Sequence, residues 1–149
     1  MVAYLLEELK LAKQETPKRP TILVIDDDEA LSDVLSQRLR RQGFDTVTAD
    51  SGTRGLAVAK TKCPSLIVLD LRLPDMDGFS ICEKLADSTD TCDIPVIILS
   101  GMESPDIIRR ARLAGCFYFV RKPYDPNALL VLIRQAIEES QQNWESNEE

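Results

Sequence analysis

Short runs of apolar residues alternate with longer amphipathic stretches along most of this chain. Each run has four or five residues, mainly Ile, Leu and Val, which is typical of a strand buried on both faces of a parallel sheet. The predicted strands are residues 21–25, 44–48, 66–69, 95–99 and 117–120. Because the second run is the least uniformly apolar, we expect that strand near an edge of the sheet.

The stretches between these runs have helical spacing of their apolar residues. In the first helix Leu31, Val34, Leu35 and Leu39 are predicted to face inward, and Gly43 is its stop signal. The other predicted helices are residues 52–62, 79–87, 105–114 and a last helix that begins at residue 126. Strands and helices that alternate in this way predict an α/β fold, a doubly wound parallel sheet with five strands and five flanking helices.

Both ends of the chain differ from this pattern. Residues 2–15 have one apolar helical face, and residues 16–20 contain two prolines and form a predicted linker. That leading helix could pack on the domain, pair with its copy in a homodimer, or remain weakly ordered. We therefore divide the chain into an N-terminal extension and linker (1–19), one folded domain (20–142) and an acidic tail predicted to be disordered (143–149).

Composition narrows the possible functions. The 149 residues, 44% of them hydrophobic, suffice for one compact domain, and the net charge of −7 argues against binding nucleic acid or an anionic membrane. The chain has no histidine, which removes zinc hydrolases and Ser-His-Asp triads from consideration. Its four cysteines lack C-x-x-C spacing, so we expect reduced and mostly buried thiols. Without a membrane span or signal peptide in the sequence, we expect a cytoplasmic protein.

Polar side chains follow four of the predicted strands at the point where each strand ends. Asp26 and Asp27 follow the first strand, Asp70 the third, Ser100 the fourth and Lys122 the fifth. Since the carboxyl ends of parallel strands meet at one edge, these groups can converge. Taken alone, Asp70 would be more typical of a helix N-cap or a solvated loop acid, and Lys122 could form a buried structural salt bridge with an aspartate. Together, acids for Mg²⁺, a hydroxyl and an ammonium indicate a site for in-line attack of Asp70 on a phosphoryl group.

Four motifs carry a resemblance to a known family. They are Ile-Leu-Val-Ile-Asp-Asp-Asp at 22–28, Leu-Ile-Val-Leu-Asp-Leu-Arg-Leu-Pro-Asp-Met-Asp-Gly at 66–78, Ile-Ile-Leu-Ser-Gly at 97–101 and Val-Arg-Lys-Pro-Tyr at 120–124. In order and spacing, the chain from 20 to 142 closely resembles the receiver domain of two-component response regulators. The resemblance implies a flavodoxin-like fold with strand order 2-1-3-4-5.

The resemblance also implies roles for the residues at the strand ends. Asp70 would be the phosphoacceptor, and Mg²⁺ would be held by Asp26, Asp27, Asp70 and the backbone carbonyl of Arg72. Lys122 would bind the phosphoryl group, and the peptide bond that follows it is expected to be cis.

Two further residues would form the switch of such a domain. Ser100 would be the switch hydroxyl, where threonine is more frequent, and Phe119 the switch aromatic, where tyrosine is frequent. Asp28 is predicted to be a helix N-cap rather than a metal ligand, and Asp75 and Asp77 are predicted to be turn residues.

By the same resemblance the chain would accept phosphate from a sensor histidine kinase or a histidine phosphotransfer protein. It would be a signalling domain rather than an enzyme, although it would assist its own phosphotransfer and autodephosphorylation. Phosphorylation would change the surface of the fourth helix, fifth strand and fifth helix. Since only a short tail follows the last helix, we expect a stand-alone receiver that acts by protein–protein contact or phosphorelay, on an effector that the sequence does not identify.

Two other functions are compatible with part of the pattern. A phosphatase with an aspartyl-phosphate intermediate usually needs a second acid two residues after the nucleophile, where this chain has Arg72. An interaction module could keep the residues without the switch. The chain lacks the glycine-rich motifs by which proteins bind dinucleotides and nucleoside triphosphates, so we expect neither function.

Overall fold

The computed structural model describes residues 19–101, 105–116 and 118–147, with side chains described through residue 142. Strands and helices alternate throughout these residues. They are β1 (Thr21–Ile25), α1 (Glu29–Arg41), β2 (Asp45–Ala49), α2 (Gly52–Lys62), β3 (Leu66–Asp70), α3 (Gly78–Asp87), β4 (Val96–Ser100), α4 (Pro105–Leu113), β5 (Tyr118–Arg121) and α5 (Pro126–Asn147). The helix predicted over residues 2–15 lies outside the described residues.

The strands form one parallel sheet in the order β2-β1-β3-β4-β5. The first strand, β1, lies inside the sheet; the chain then moves to the β2 edge and returns past β1 to add β3, β4 and β5. The strand order therefore reverses between β1 and β3, which is where doubly wound sheets place their ligand sites. The predicted fold class and strand order are confirmed, as is the edge position of the second strand.

The core lies on both faces of the sheet. Leu66 and Val68 of β3 pack into a cluster with residues of α1 and α5, whereas Ile67 and Leu69 pack into a cluster with residues of α2, α3 and α4. All four side chains are at most 1% exposed, as expected for a central strand of a parallel sheet. Each such burial stabilises the fold by about 1.5–3 kcal/mol.

Two glycines let α2 approach its neighbours closely. A Cβ atom on Gly55 would lie 2.5 Å from Cδ1 of Ile25, so this helix packs directly on β1. At the start of the helix, a Cβ atom on Gly52 would lie 2.3 Å from Cγ of Met76, in the loop after β3. These contacts fix the N-terminus of α2 beside the carboxyl ends of β1 and β3.

Two sequence predictions about the helices are wrong in part. Leu31 and Val34 of α1 are 53% and 56% exposed rather than buried, because they border an open groove, while Leu35 and Leu39 pack inward as predicted. Helix α5 continues to Asn147, so the segment predicted to be a disordered tail is helical as far as that residue. Residues 127–147 contain no glycine or proline that would end the helix earlier.

The cysteines are free, as predicted, but only half of them are buried. Cys82 of α3 and Cys116, just before β5, are buried with their sulfur atoms in contact, whereas Cys63 and Cys92 are exposed. The hydrogen bond with Cys116, together with burial, raises the pKa of the Cys82 thiol. None of the described helices combines the length and hydropathy that a membrane span requires.

Candidate functional site

Three carboxylates meet at the carboxyl edge of the central strands. In the sheet register Ile25 pairs with Leu69, so the residues that follow β1 and end β3 lie side by side. One carboxylate oxygen each from Asp26, Asp27 and Asp70 lies within 4.8 Å of the other two. The convergence arises from parallel strand pairing, since Asp70 lies 43 positions after Asp27 in the sequence.

Lys122 joins this group from the end of β5. Its Nζ donates a hydrogen bond of 2.9 Å to Oδ2 of Asp70 and lies 3.8 Å from Oδ2 of Asp26. Its backbone N–H donates to the carbonyl of Ser100 at 2.8 Å, which anchors the residue to the end of β4. The Lys122–Pro123 peptide bond is cis, as expected. The ammonium therefore lies against the acids rather than pointing away from them.

The electrostatics of the site favour a cation. Burial raises the pKa of the Asp26 carboxyl, and the negative charges of Asp70 and Asp27 add to this effect, while the Asp28 backbone N–H and Lys122 oppose it. Burial alone would lower the pKa of Lys122, but the hydrogen bond and charge of Asp70, with Asp26, raise it overall. One ammonium faces three carboxylates, so the cluster keeps an excess of negative charge.

The donor set fits Mg²⁺. This ion binds hard oxygen ligands, and it usually takes one or two carboxylates and keeps several waters. Asp26, Asp27 and Asp70 offer such oxygens close together on one rim. Arg72 is tied to the same site, because its backbone N–H donates to Oδ1 of Asp70 at 3.0 Å. Its carbonyl belongs to the loop that leaves β3 directly beside the acids.

The loop between β3 and α3 is held at several points. Its last residue, Asp77, is the N-cap of α3 and accepts from the N–H of Phe79, and the N–H of Gly78 donates to the carbonyl of Leu71. At the apex of the loop, Asp75 accepts hydrogen bonds from the N-terminus of α2. Asp77 is thus a helix cap, as is Asp28 at α1. Asp75 makes a long-range contact that the sequence analysis, which assigned it only to a turn, did not predict.

Ser100 and Phe119, the predicted switch residues, lie on adjacent strands. Ser100 ends β4 and is 2% exposed, and its partner in β5 is Arg121. Phe119 pairs with Ile98 and is half-buried against the cluster on the α2–α4 side of the sheet. The two residues are therefore near neighbours at the end of the sheet that carries the acids.

An open groove of about 390 Å³ leads to the same site. One wall is the exposed apolar face of α1 with Leu31 and Val34, and another is the segment after β5 that contains Tyr124. Asp70 and Lys122 line its inner end. The groove thus connects an apolar surface with the carboxylate and the ammonium.

Comparison with known proteins assigns this site to a family. A family model described as the response regulator receiver domain matches residues 22–134. The chain belongs to the response regulator receiver domain family. It is a receiver of the two-component type. Receiver domains generally bind Mg²⁺ at an acidic pocket, and this chain has an acidic cluster formed by Asp26, Asp27 and Asp70.

Individual relatives agree with this assignment. The chain is 38% identical to the DNA-binding dual master transcriptional regulator RpaA of Synechocystis over 115 residues, 77% of this chain and 48% of RpaA. It is 34% identical to the DNA-binding response regulator MtrA of Mycobacterium tuberculosis over 117 residues, 78% of this chain and 50% of MtrA. The chain therefore spans about half the length of these curated relatives.

Solved receiver domains match along nearly their whole length. A CheY-like response regulator receiver domain protein from Methanospirillum hungatei has a TM-score of 0.79 and 28% identity, and the match covers 85% of this chain and 99% of that structure. A receiver domain protein from Clostridium thermocellum has a TM-score of 0.76 and 29% identity, and the match covers 83% of this chain and 98% of that structure.

Proposed function

We propose that this receiver accepts a phosphoryl group on Asp70 with the help of Mg²⁺. The observation that carries the proposal is the position of the Lys122 ammonium, 2.9 Å from the Asp70 carboxylate at the edge of a cluster of three acids. Asp26, Asp27, Asp70 and the carbonyl of Arg72 would hold the metal. When bound, Mg²⁺ would neutralise charge that develops on the transferred group.

In the proposed reaction a carboxylate oxygen of Asp70 forms a bond to phosphorus in line with the departing donor. The bond between phosphorus and a histidine nitrogen of the donor breaks, and its electron pair stays with the imidazole, which then takes up a proton. Lys122 supplies a point charge to the phosphoryl oxygens. The acids themselves already hold this ammonium in place, so no reorganisation of the lysine is needed before transfer.

We propose a sensor histidine kinase or a histidine phosphotransfer protein as the donor, since the chain has no histidine of its own. The donor must bring its phosphohistidine to the inner end of the groove, where Asp70 and Lys122 lie. The apolar wall formed by Leu31 and Val34 is a suitable docking surface for an amphipathic helix of that donor. The cytoplasmic location predicted from the sequence is part of this proposal.

The switch is proposed to involve Ser100 and Phe119. New phosphoryl oxygens on Asp70 would attract the Ser100 hydroxyl, and Phe119, now half-buried, would turn further inward to fill the space. Such a change would alter the surface formed by α4, β5 and α5. It would also shift an equilibrium between two states rather than create a new fold.

The output is proposed to be a protein–protein contact or the transfer of phosphate along a relay. The acidic balance of the chain, −7 overall, argues that the receiver itself does not bind nucleic acid. The relatives that are named as DNA-binding regulators match this chain over only about half of their own length, so their DNA binding is not transferred to it. A homodimer through the N-terminal segment stays a prediction.

The test is labelling with ³²P-acetyl phosphate in the presence of Mg²⁺. We expect wild type and Asp45→Asn, which changes an exposed acid at the start of β2, to incorporate label, and Asp70→Asn to incorporate none. Omission of Mg²⁺ should abolish labelling as well. Equal labelling of wild type and Asp70→Asn would contradict the proposal, and steady turnover of a generic phosphate ester would favour a phosphatase instead.

A further inference from the structure

We propose that Asp75 is a positioning residue for the metal site, because it joins the loop after the phosphoacceptor strand to the N-terminus of α2. The inference rests on the proposed function, since it concerns the loop that carries the carbonyl of Arg72. Asp75 lies five residues after Asp70, is exposed, and does not belong to the acidic cluster itself.

The bridge consists of three hydrogen bonds. Oδ1 of Asp75 accepts from the backbone N–H of Gly52 at 2.8 Å, and Oδ2 accepts from the backbone N–H of Thr53 at 2.9 Å and from its hydroxyl at 2.8 Å. Because each oxygen has its own donor, the orientation of the carboxylate is fixed as well as its position. A negative charge at this end of a helix is also favoured by the helix dipole.

Van der Waals contact reinforces the bridge. The side chain of Met76 lies so close to Gly52 that a Cβ atom there would be 2.3 Å from Cγ of Met76. The residue after Asp75 therefore packs on the same turn of α2 to which Asp75 is hydrogen-bonded. Among the described residues, the hydrogen bonds between the apex of this loop and α2 are all accepted by Asp75.

The bridge connects the two halves of the metal site. The backbone N–H of Asp26 donates to the carbonyl of Ala49, at the end of β2, at 3.0 Å. Three residues further along, Gly52 begins α2 and binds Asp75, whose loop leads back to Asp70. Asp26 and Asp70 are thus linked through the end of β2 and the start of α2, in addition to the pairing of β1 with β3.

A helix cap alone would not require this arrangement. Helix α2 already has a local N-cap, Ser51, whose side chain accepts from the N–H of Arg54 at 3.2 Å. Asp75 accepts hydrogen bonds from the backbone N–H groups of Gly52 and Thr53, although it lies more than 20 residues after them in the sequence. The same helix end therefore offers a matched control, because Ser51→Ala removes a cap without changing the loop after β3.

The experiment compares Asp75→Ala, Asp75→Asn and Ser51→Ala with wild type. Calorimetric titration with MgCl₂ alone gives the metal affinity, amide exchange at Gly78 reports the order of the loop without metal, and labelling by acetyl phosphate reports the reaction. We expect Asp75→Ala to weaken Mg²⁺ binding about three- to tenfold and to speed exchange at Gly78, with Asp75→Asn intermediate. Ser51→Ala should leave Mg²⁺ affinity within about twofold of wild type even if the helix is destabilised.

Two results would overturn the inference. The first is that wild type binds Mg²⁺ and accepts label but Asp75→Ala has a Mg²⁺ affinity within about twofold of it. The second is that Ser51→Ala weakens Mg²⁺ binding as much as Asp75→Ala does. If Asp75→Ala does not fold, Thr53→Val removes one bond of the three and should still weaken Mg²⁺ binding by about threefold, whereas an affinity within about twofold of wild type would count against the bridge. A wild type that neither binds Mg²⁺ nor accepts label would instead refute the proposed function, and this inference with it.

Discussion

Replacement of Lys122 by alanine tests the electrostatic account of the site, because it leaves the acids without their ammonium. With an effective dielectric constant of about 20, the contacts at 2.9 Å and 3.8 Å correspond to gross attractions of ~6 and ~4 kcal/mol. Desolvation of the lysine offsets most of this. Exposed ion pairs contribute about 0–1 kcal/mol net, whereas removing one partner of a buried pair costs about 3–5 kcal/mol.

The ion pair of Lys122 with Asp70 lies between these limits but closer to the buried one, since the side chain of Lys122 is 27% exposed and that of Asp70 is 14% exposed. We therefore expect Lys122→Ala to lower the free energy of unfolding by about 2–3 kcal/mol in the absence of divalent metal. The assay is urea unfolding at pH 7 with EDTA and again with MgCl₂. Mg²⁺ should stabilise Lys122→Ala more than wild type, because the cation then replaces the missing charge.

Lys122→Arg is the control, since it keeps the positive charge while changing its shape. It should lose much less stability than Lys122→Ala. The reasoning would be refuted if alanine cost less than about 0.5 kcal/mol without metal, the scale of an ordinary surface substitution. It would also be refuted if Mg²⁺ stabilised wild type and Lys122→Ala equally.

Three further predictions follow from other contacts. Gly55→Ala would place its Cβ 2.5 Å from Cδ1 of Ile25, and in urea unfolding it should cost about 1–3 kcal/mol. Hydrogen bonds from the start of α2 lower the pKa of Asp75 to about 2, so its contribution to stability is present above the ordinary pKa of 3.8 and is lost as the pH falls toward 2. The urea midpoint of wild type should therefore fall as the pH is lowered between those two values, whereas Asp75→Asn should not show this loss. With Ellman's reagent, Cys63 and Cys92 should react quickly and the two buried cysteines only on unfolding, so four fast thiols would contradict the packing.

Most of the fold could be predicted because its signals are local. Each strand is an apolar run that stops at a polar residue, as β3 does at Asp70, and parallel topology alone brings such ends together. The helices followed from spacing and from stop signals such as Gly43, whose φ of 98° favours glycine. The resemblance of the motifs then supplied the strand order.

What could not be predicted depends on neighbours distant in the chain. Helical spacing assigned Leu31 and Val34 to the buried face, but it cannot tell whether another element covers the end of that face. Likewise, Asp75 has the sequence context of a turn residue, and its partners Gly52 and Thr53 lie more than 20 residues earlier. Only the packing of α2 beside the loop after β3 reveals the contact.

The central claim, that Asp70 becomes an aspartyl phosphate, is tested most directly by chemical trapping of that residue. After incubation with acetyl phosphate and Mg²⁺, tritiated borohydride reduces an acyl phosphate to homoserine, and peptide mass spectrometry locates the label. The account predicts homoserine at residue 70 in wild type and none in protein incubated without Mg²⁺. Label at another aspartate, or no homoserine at residue 70 under phosphorylating conditions, would contradict it.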